Sequence, residues 1–227
     1  MIKYLFLDLD QTILDFRKGE TTGLVQALRS HGVESTAQVL AQYHQINRWH
    51  WEQLELGKLS QEEVLVGRFR TLFARLGVEA DAQKCAQDYE YNLSLSHFFL
   101  PGAQEALNAL YGKYRLYLAS NGTPFVQHRR LKDADLYRFF DGIFLSGEVG
   151  YSKPAAEFFE AAFRTIPGFD REQAVMVGDT LPSDILGGIH AGIQTVWVNP
   201  EHAPAGAVQP DHQIDSLAQL PGLLETL

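Results

Sequence analysis

A chain of 227 residues, 45% of them hydrophobic, is long enough for one large domain or a medium domain with a smaller one attached, and its composition excludes a disordered polymer. Its 19 Lys and Arg against 28 Asp and Glu leave a net charge of −9, which argues against a nucleic-acid polymer as partner. A small phosphorylated ligand held by one or two local cations stays compatible with that charge.

The single cysteine, Cys85, excludes an intrachain disulfide and a thiolate metal cluster. The start, "MIKYLFLD", meets acid too soon for a secretory signal, and no apolar run approaches membrane-spanning length. A cytoplasmic protein without a membrane partner is expected, as a monomer or small homo-oligomer.

The first predicted element is a strand, "KYLFLDLD", which ends in Asp8 and Asp10. Side chains two apart on an extended chain share a face, and two carboxylates side by side repel. The arrangement costs stability unless a cation sits there or the pair transfers protons. From about Asp15 to Ser96 no strand is expected. Helix signals take over: "STAQ" (Ser35 to Gln38) and "SQEE" (Ser60 to Glu63) fit capping boxes, and Gly57 and Gly77 sit where helices would stop. Residues 15–97 therefore read as an all-helical insertion at the carboxyl end of the first strand, with 1–14 and 98–227 as the core. Ligands of open α/β sheets bind at that edge, so the insertion is expected to cover the site.

Beyond the insertion, strand-like runs alternate with helices. The runs are "YRLYLAS", "DGIFLSGEVG", "AVMVGD" and "IQTVWVN"; the helices are expected at 102–112, 124–134, 154–165 opened by Pro154, and 182–191 opened by Pro182. The stretch 199–213 reads as a surface loop before a short last strand and helix. Nearly unbroken apolar strands with helical connections predict a doubly wound parallel α/β sheet.

The strand ends carry matching chemistry. Ser120 and Asn121 close "LASNG", Lys153 lies in "GYSKP", and "GDTLPSD" supplies Asp179 and Asp184. In a parallel sheet all these ends lie along one edge, so they should converge with Asp8 and Asp10. Several carboxylates together favour a hard cation such as Mg²⁺, and a hydroxyl, backbone N–H groups and a lysine suit a phosphate. One aspartate can attack phosphorus while its neighbour shuttles the leaving-group proton.

"DLDQT", "SNG", "SKP" and "GDTLPSD", in this order, resemble the four motifs of the haloacid dehalogenase (HAD) superfamily, whose fold is a Rossmann-like core with an inserted cap. The resemblance implies Asp8 as the nucleophile that becomes an aspartyl phosphate, and Asp10 as general acid/base with a backbone carbonyl on Mg²⁺. It implies that Thr12 braces the loop beside the phosphate, that Ser120 and Asn121 hold phosphoryl oxygens, and that Lys153 neutralises charge. Asp179 would bind Mg²⁺ directly, and Asp184 through water or by orienting Lys153. An acid at position 10 favours phosphate ester hydrolysis over dehalogenation, because a halide leaving group needs no proton.

Within the insertion, "NRWHWEQLELGKLSQEEVLVGRFRTLFARLG" is similar to bacterial 5′-nucleotidases acting on pyrimidine monophosphates, as are "SGEVGYSKP" and "MVGDTLPSDILGGIHAGI". That implies a small phosphate ester substrate such as UMP, dUMP or dTMP; the alternative is another small ester, phosphoglycolate or a sugar phosphate. Asn47, Trp49 and Arg68 are candidates for substrate specificity, with Tyr43 and Trp51 on the same helix as Trp49, although aromatics at this spacing equally form a cap core. His44, His50, His128 and His190 show no metal-ligand pattern.

Overall fold

The computed structural model describes residues 1–227, the side chain of Glu55 excepted. The described residues form two compact units, 1–16 with 97–227 and 17–96. Among them no helix is long and apolar enough to cross a membrane.

The larger unit is built on a six-stranded sheet of β1 (Tyr4–Leu7), β2 (Arg115–Ser120), β3 (Gly142–Leu145), β4 (Ala174–Gly178), β5 (Gln194–Val198) and β6 (His212–Ile214). The order across the sheet is β3-β2-β1-β4-β5-β6 and every neighbouring pair runs parallel. β1 is central, and all four of its residues are buried. Its side chains alternate between two separate apolar clusters, Leu5 and Leu7 on one face, Tyr4 and Phe6 on the other. Each of these side chains contributes roughly 1.5–3 kcal/mol by leaving water. Burial on both faces explains why the strand reads as one apolar run instead of an alternating pattern.

The smaller unit is helical: α1 (Phe16–Ser30, its first residue in the larger unit), α2 (Ala37–Glu55), α3 (Gln61–Leu76) and α4 (Ala82–Ser94). Tyr43, Phe69 and Tyr89 meet in its interior with ring centroids 5.4 to 6.0 Å apart. Ser60 caps α3 in a reciprocal box with Glu63, and Gly77 ends it at φ 65°, a conformation open to glycine without a Cβ penalty. The cap of α2 is Thr36, not Ser35: its hydroxyl accepts from the Val39 amide. Both residues make good caps, so the register was open by one position.

In the larger unit α5 (Ala103–Leu110), α6 (Pro124–Asp133), the single turn α7 (Ser146–Val149), α8 (Ala156–Phe163), α9 (Leu186–Ala191) and α10 (Leu220–Leu224) connect the strands or follow the last one. Leucines and alanines of α5 and α10 pack on the face holding Leu5 and Leu7, and phenylalanines of α8 on the opposite face. Three expectations need correction. The run "DGIFLSGEVG" is strand only to Leu145; the chain then coils into α7 and turns at Gly150, φ 86°. Pro154 does not open α8: it lies in a turn closed by the Ala155 amide donating to Ser152 O, and the helix starts at Ala156. Ahead of α9, Leu181–Ile185 winds as a π-helical turn, so the helical stretch carrying Asp184 is wider than an α-helix at its start.

Candidate active site

The carboxyl ends of β1, β2 and β4 gather the polar groups. Lys153 is buried, and its Nζ donates to Asp8 Oδ1 at 2.7 Å, to Asp184 Oδ1 at 2.6 Å and to the carbonyl of Ala119, the penultimate residue of β2, at 2.6 Å. Three donors thus meet three acceptors, the condition for keeping an ammonium out of water. Asp184 reaches this point because Gly178 has no side chain: a Cβ there would collide with the Asp184 carboxylate. Its second oxygen accepts from the Thr180 amide at 3.0 Å. Asp179 is held by the Thr180 hydroxyl on its side chain at 3.1 Å and by the Trp197 indole on its carbonyl at 2.7 Å.

Electrostatically the cluster has more negative charge than Lys153 offsets. Burial pushes the Asp8 carboxyl well up; Lys153 opposes this, while Asp184, Asp179 and Asp10 add to it. Asp179 is pushed up to about 7 by burial and then by Asp184. Burial alone would lower the Lys153 ammonium, but Asp184 and Asp8 outweigh it and hold it above its ordinary value. Carboxylate oxygens of Asp8, Asp179 and Asp184 all lie within 4.8 Å of one another. An oxygen-only donor set with surplus negative charge suits a hard divalent cation, which would reverse the repulsion that raises Asp8 and Asp179. The residues present therefore fit Mg²⁺.

Asp10 stands apart from that cluster. Its Oδ1 accepts from Arg130 Nη1 at 2.5 Å and its Oδ2 from Gln127 Nε2 at 2.8 Å. Ser120 Oγ, buried at the end of β2, accepts from the Gly122 amide at 3.1 Å and from Gln127 Nε2 at 2.9 Å. With its oxygen engaged as acceptor, the Ser120 hydroxyl can point its own hydrogen at a ligand. Asn121 bonds the backbone of Lys153 in both directions.

The Thr12 hydroxyl, expected beside the phosphate, is buried and has no hydrogen-bond partner among the described residues. Backbone bonds hold the loop: Gln11 N to Leu14 O at 2.8 Å, and Ile13 N and Leu14 N to Leu9 O at 2.9 Å each. Gln11 sits at φ 57°, an uncommon left-handed position for a residue with a side chain.

In the helical unit, Asn47 and Arg68 are brought together. Asn47 Nδ2 donates to Glu20 Oε1 at 2.8 Å and Arg68 Nη1 donates to Asn47 Oδ1 at 2.9 Å, all three buried. Arg68 also lies over the Tyr89 ring at 4.7 Å. Tyr43 is buried in the same core, whereas Trp49 is 52% exposed and Trp51 half-buried. Sequence reasoning missed Gln127 and Arg130, both buried. The only signal was their three-residue spacing on the helix after "SNG", inside a run, "QHRR", that looks like a solvated face.

Comparison with known proteins agrees with this geometry. A family model of haloacid dehalogenase-like hydrolases matches residues 2–192. The chain is 37% identical to pyrimidine 5′-nucleotidase PynA of Streptococcus pneumoniae over 96% of its own length and 93% of that protein. It is 34% identical to pyrimidine 5′-nucleotidase YjjG of Escherichia coli over 97% of both. A solved structure of YfnB from Bacillus subtilis bound to magnesium superposes with a TM-score of 0.94 at 35% identity, covering 99% of each chain. The chain belongs to the haloacid dehalogenase-like hydrolases.

Proposed function

We propose that the protein is a Mg²⁺-dependent phosphatase of nucleoside 5′-monophosphates, with preference for the pyrimidine nucleotides UMP, dUMP and dTMP. One observation carries the phosphatase reading: a lysine-linked carboxylate, Asp8, lies beside two further carboxylates and two residues before a second acid. The nucleotide preference is supported by the likeness to two pyrimidine 5′-nucleotidases along nearly the whole chain.

In this reading a carboxylate oxygen of Asp8 attacks phosphorus, and the bond to the nucleoside O5′ breaks. Asp10 gives its proton to that oxygen, leaving nucleoside and an aspartyl phosphate on Asp8. Asp10 then takes a proton from water, whose oxygen bonds phosphorus and displaces Asp8. The Ser120 hydroxyl and the backbone amide of Asn121 bind the equatorial oxygens as charge builds on them, and the Lys153 ammonium, in place beside Asp8, neutralises nucleophile and phosphate. Asp8, Asp179, the Asp10 carbonyl and Asp184, directly or through water, would hold Mg²⁺, which would supply neutralisation of the charge on carboxylate and dianionic ester. Thr12 lines the phosphate side of the loop. Asn47, Trp49 and Arg68 are proposed to set the preference for the base.

Phosphate release with Mg²⁺ across dUMP, dTMP, UMP, CMP, AMP, GMP, phosphoglycolate and several sugar phosphates tests both levels. Uracil and thymine nucleotides leading in kcat/KM is the expected result. Glycolate or sugar phosphates in the lead would overturn the nucleotide preference while leaving the chemistry in place.

A further inference from the structure

We infer that Gln127 and Arg130 are positioning residues for the proton-transferring carboxylate, a fixed fork that sets the orientation of Asp10. The inference rests on the reading that Asp10 protonates the leaving oxygen. Four observations carry it. First, both Asp10 oxygens are engaged from the same helix, α6: Oδ1 by the Arg130 guanidinium and Oδ2 by the Gln127 amide. Second, the two α6 residues fix one another, because Arg130 Nη1 also donates to Gln127 Oε1 at 2.9 Å. That bond turns the Gln127 carbonyl towards Arg130 and its NH₂ towards Asp10 and Ser120, removing the ambiguity of the amide.

Third, both side chains are 1% exposed, although α6 is strongly polar, with a guanidinium kept from water beside a carboxylate that is 27% exposed. A buried guanidinium is retained only against a matching anion, and here that anion includes Asp10. Fourth, the space is reserved: a Cβ on Gly122 would collide with Gln127 Nε2. The tight turn after β2 therefore serves the glutamine as well as the chain reversal.

The chemical consequence is specific. A free Asp side chain rotates among several χ1 and χ2 wells, and proton transfer needs one of them. Asp10 accepts these two bonds, one on each oxygen, and keeps a further site on its carboxyl group for the proton exchanged with the leaving group and the attacking water. Because one NH₂ of Gln127 bridges Asp10 and Ser120, the proton donor is registered against the phosphoryl pocket by a single side chain.

Two esters separate this role from general support of the fold. The O5′ of dUMP leaves as an alkoxide and needs a proton; p-nitrophenolate leaves without one. The quantity to measure is the ratio of kcat/KM for dUMP to that for p-nitrophenyl phosphate, which reports the first bond-breaking step for each. In Arg130→Met and in Gln127→Met that ratio should fall on the order of tenfold or more relative to wild type. Thermal melts identify folded variants, and Gln127→Met, close in volume and uncharged on both sides, decides the matter if Arg130→Met does not fold. An unchanged ratio in folded Gln127→Met, with Asp10→Asn inactive on dUMP, overturns the fork. Asp10→Asn retaining full activity on dUMP overturns instead the proton-transfer role on which the fork depends.

Discussion

Asn121 and Lys153 grip one another as if they were neighbouring strands: the Asn121 side-chain amide donates to the Lys153 carbonyl at 2.8 Å and its oxygen accepts from the Lys153 amide at 2.9 Å. The turn after β2 is thereby tied to the loop that carries the buried lysine. Asn121→Asp keeps the acceptor but sets a carboxylate oxygen against the Lys153 carbonyl. It should lower stability by about 1–3 kcal/mol, read by equilibrium urea unfolding. It should also reduce kcat, because Lys153 Nζ is positioned from this loop.

Metal dependence has a readout apart from turnover. A cation bound by the native state alone raises the melting temperature by mass action. Mg²⁺ is expected to raise the wild-type melting temperature in a concentration-dependent manner, and Asp179→Asn to lose that rise. Chelation should abolish phosphate release and Mg²⁺ restore it. Asp8→Asn is expected to be inactive with or without the metal.

The buried trio Glu20, Asn47 and Arg68 gives the helical unit a different vulnerability. Arg68→Met removes the donor to Asn47 and leaves Glu20 and Glu90, its acidic neighbours, without the guanidinium. Breaking a buried charge network in this way costs about 3–5 kcal/mol, whereas Trp49→Ala on the exposed face should shift stability by no more than about 0.5 kcal/mol. Thermal melts of the two variants provide the comparison. If Trp49 touches the base, the same variant raises KM for dUMP more than for p-nitrophenyl phosphate.

A small pH dependence follows from His44, whose Nδ1 lies 3.2 Å from Glu20 Oε2. The hydrogen bond to Glu20 raises the imidazole above its ordinary 6.5, against burial and Arg48, which lower it. The protonated form is thus favoured by folding. Its stabilisation is complete below the ordinary histidine value and is lost as pH climbs through the raised folded value. His44 is 40% exposed, so solvent screening limits the effect to about 0.5 kcal/mol. Wild type should exceed His44→Gln in melting temperature at acid pH, with the gap closing towards alkaline pH.

What the sequence made legible is the part governed by local rules. Apolar runs ending in Asp8, Ser120 and Asp179 announce strands buried on both faces, and the polar residues at their ends share an edge for topological reasons. The Ser60–Glu63 box and Gly77 are equally local. Gln127 and Arg130 were invisible because their burial is decided by what α6 meets, and a polar run carries no mark of it. The Thr12 hydroxyl was hard to place for a similar reason: its position in a motif does not reveal which partner the fold brings to it. Pro154 satisfied the composition of a helix start, yet the turn around Ser152 and Ala155 claimed it. Asn47 and Arg68 stood out separately; only the packing of α2 against α3 made them a pair.

The central position of β1 has a consequence for how the protein is made. Tyr4 pairs on one side with Arg115 and on the other with Ala174, so β1 gains its second neighbour only long after its own synthesis. At translation rates of about 5–20 residues per second, roughly ten to thirty seconds pass between the emergence of β1 and that of β4. Until β2 emerges "YLFL" has both edges unpaired, one edge stays open until β4 follows, and Asp8 meets Asp179 and Asp184 only after that. The site is therefore complete only late in translation, and any pause before β4 lengthens the time for which one edge of an apolar strand stays open.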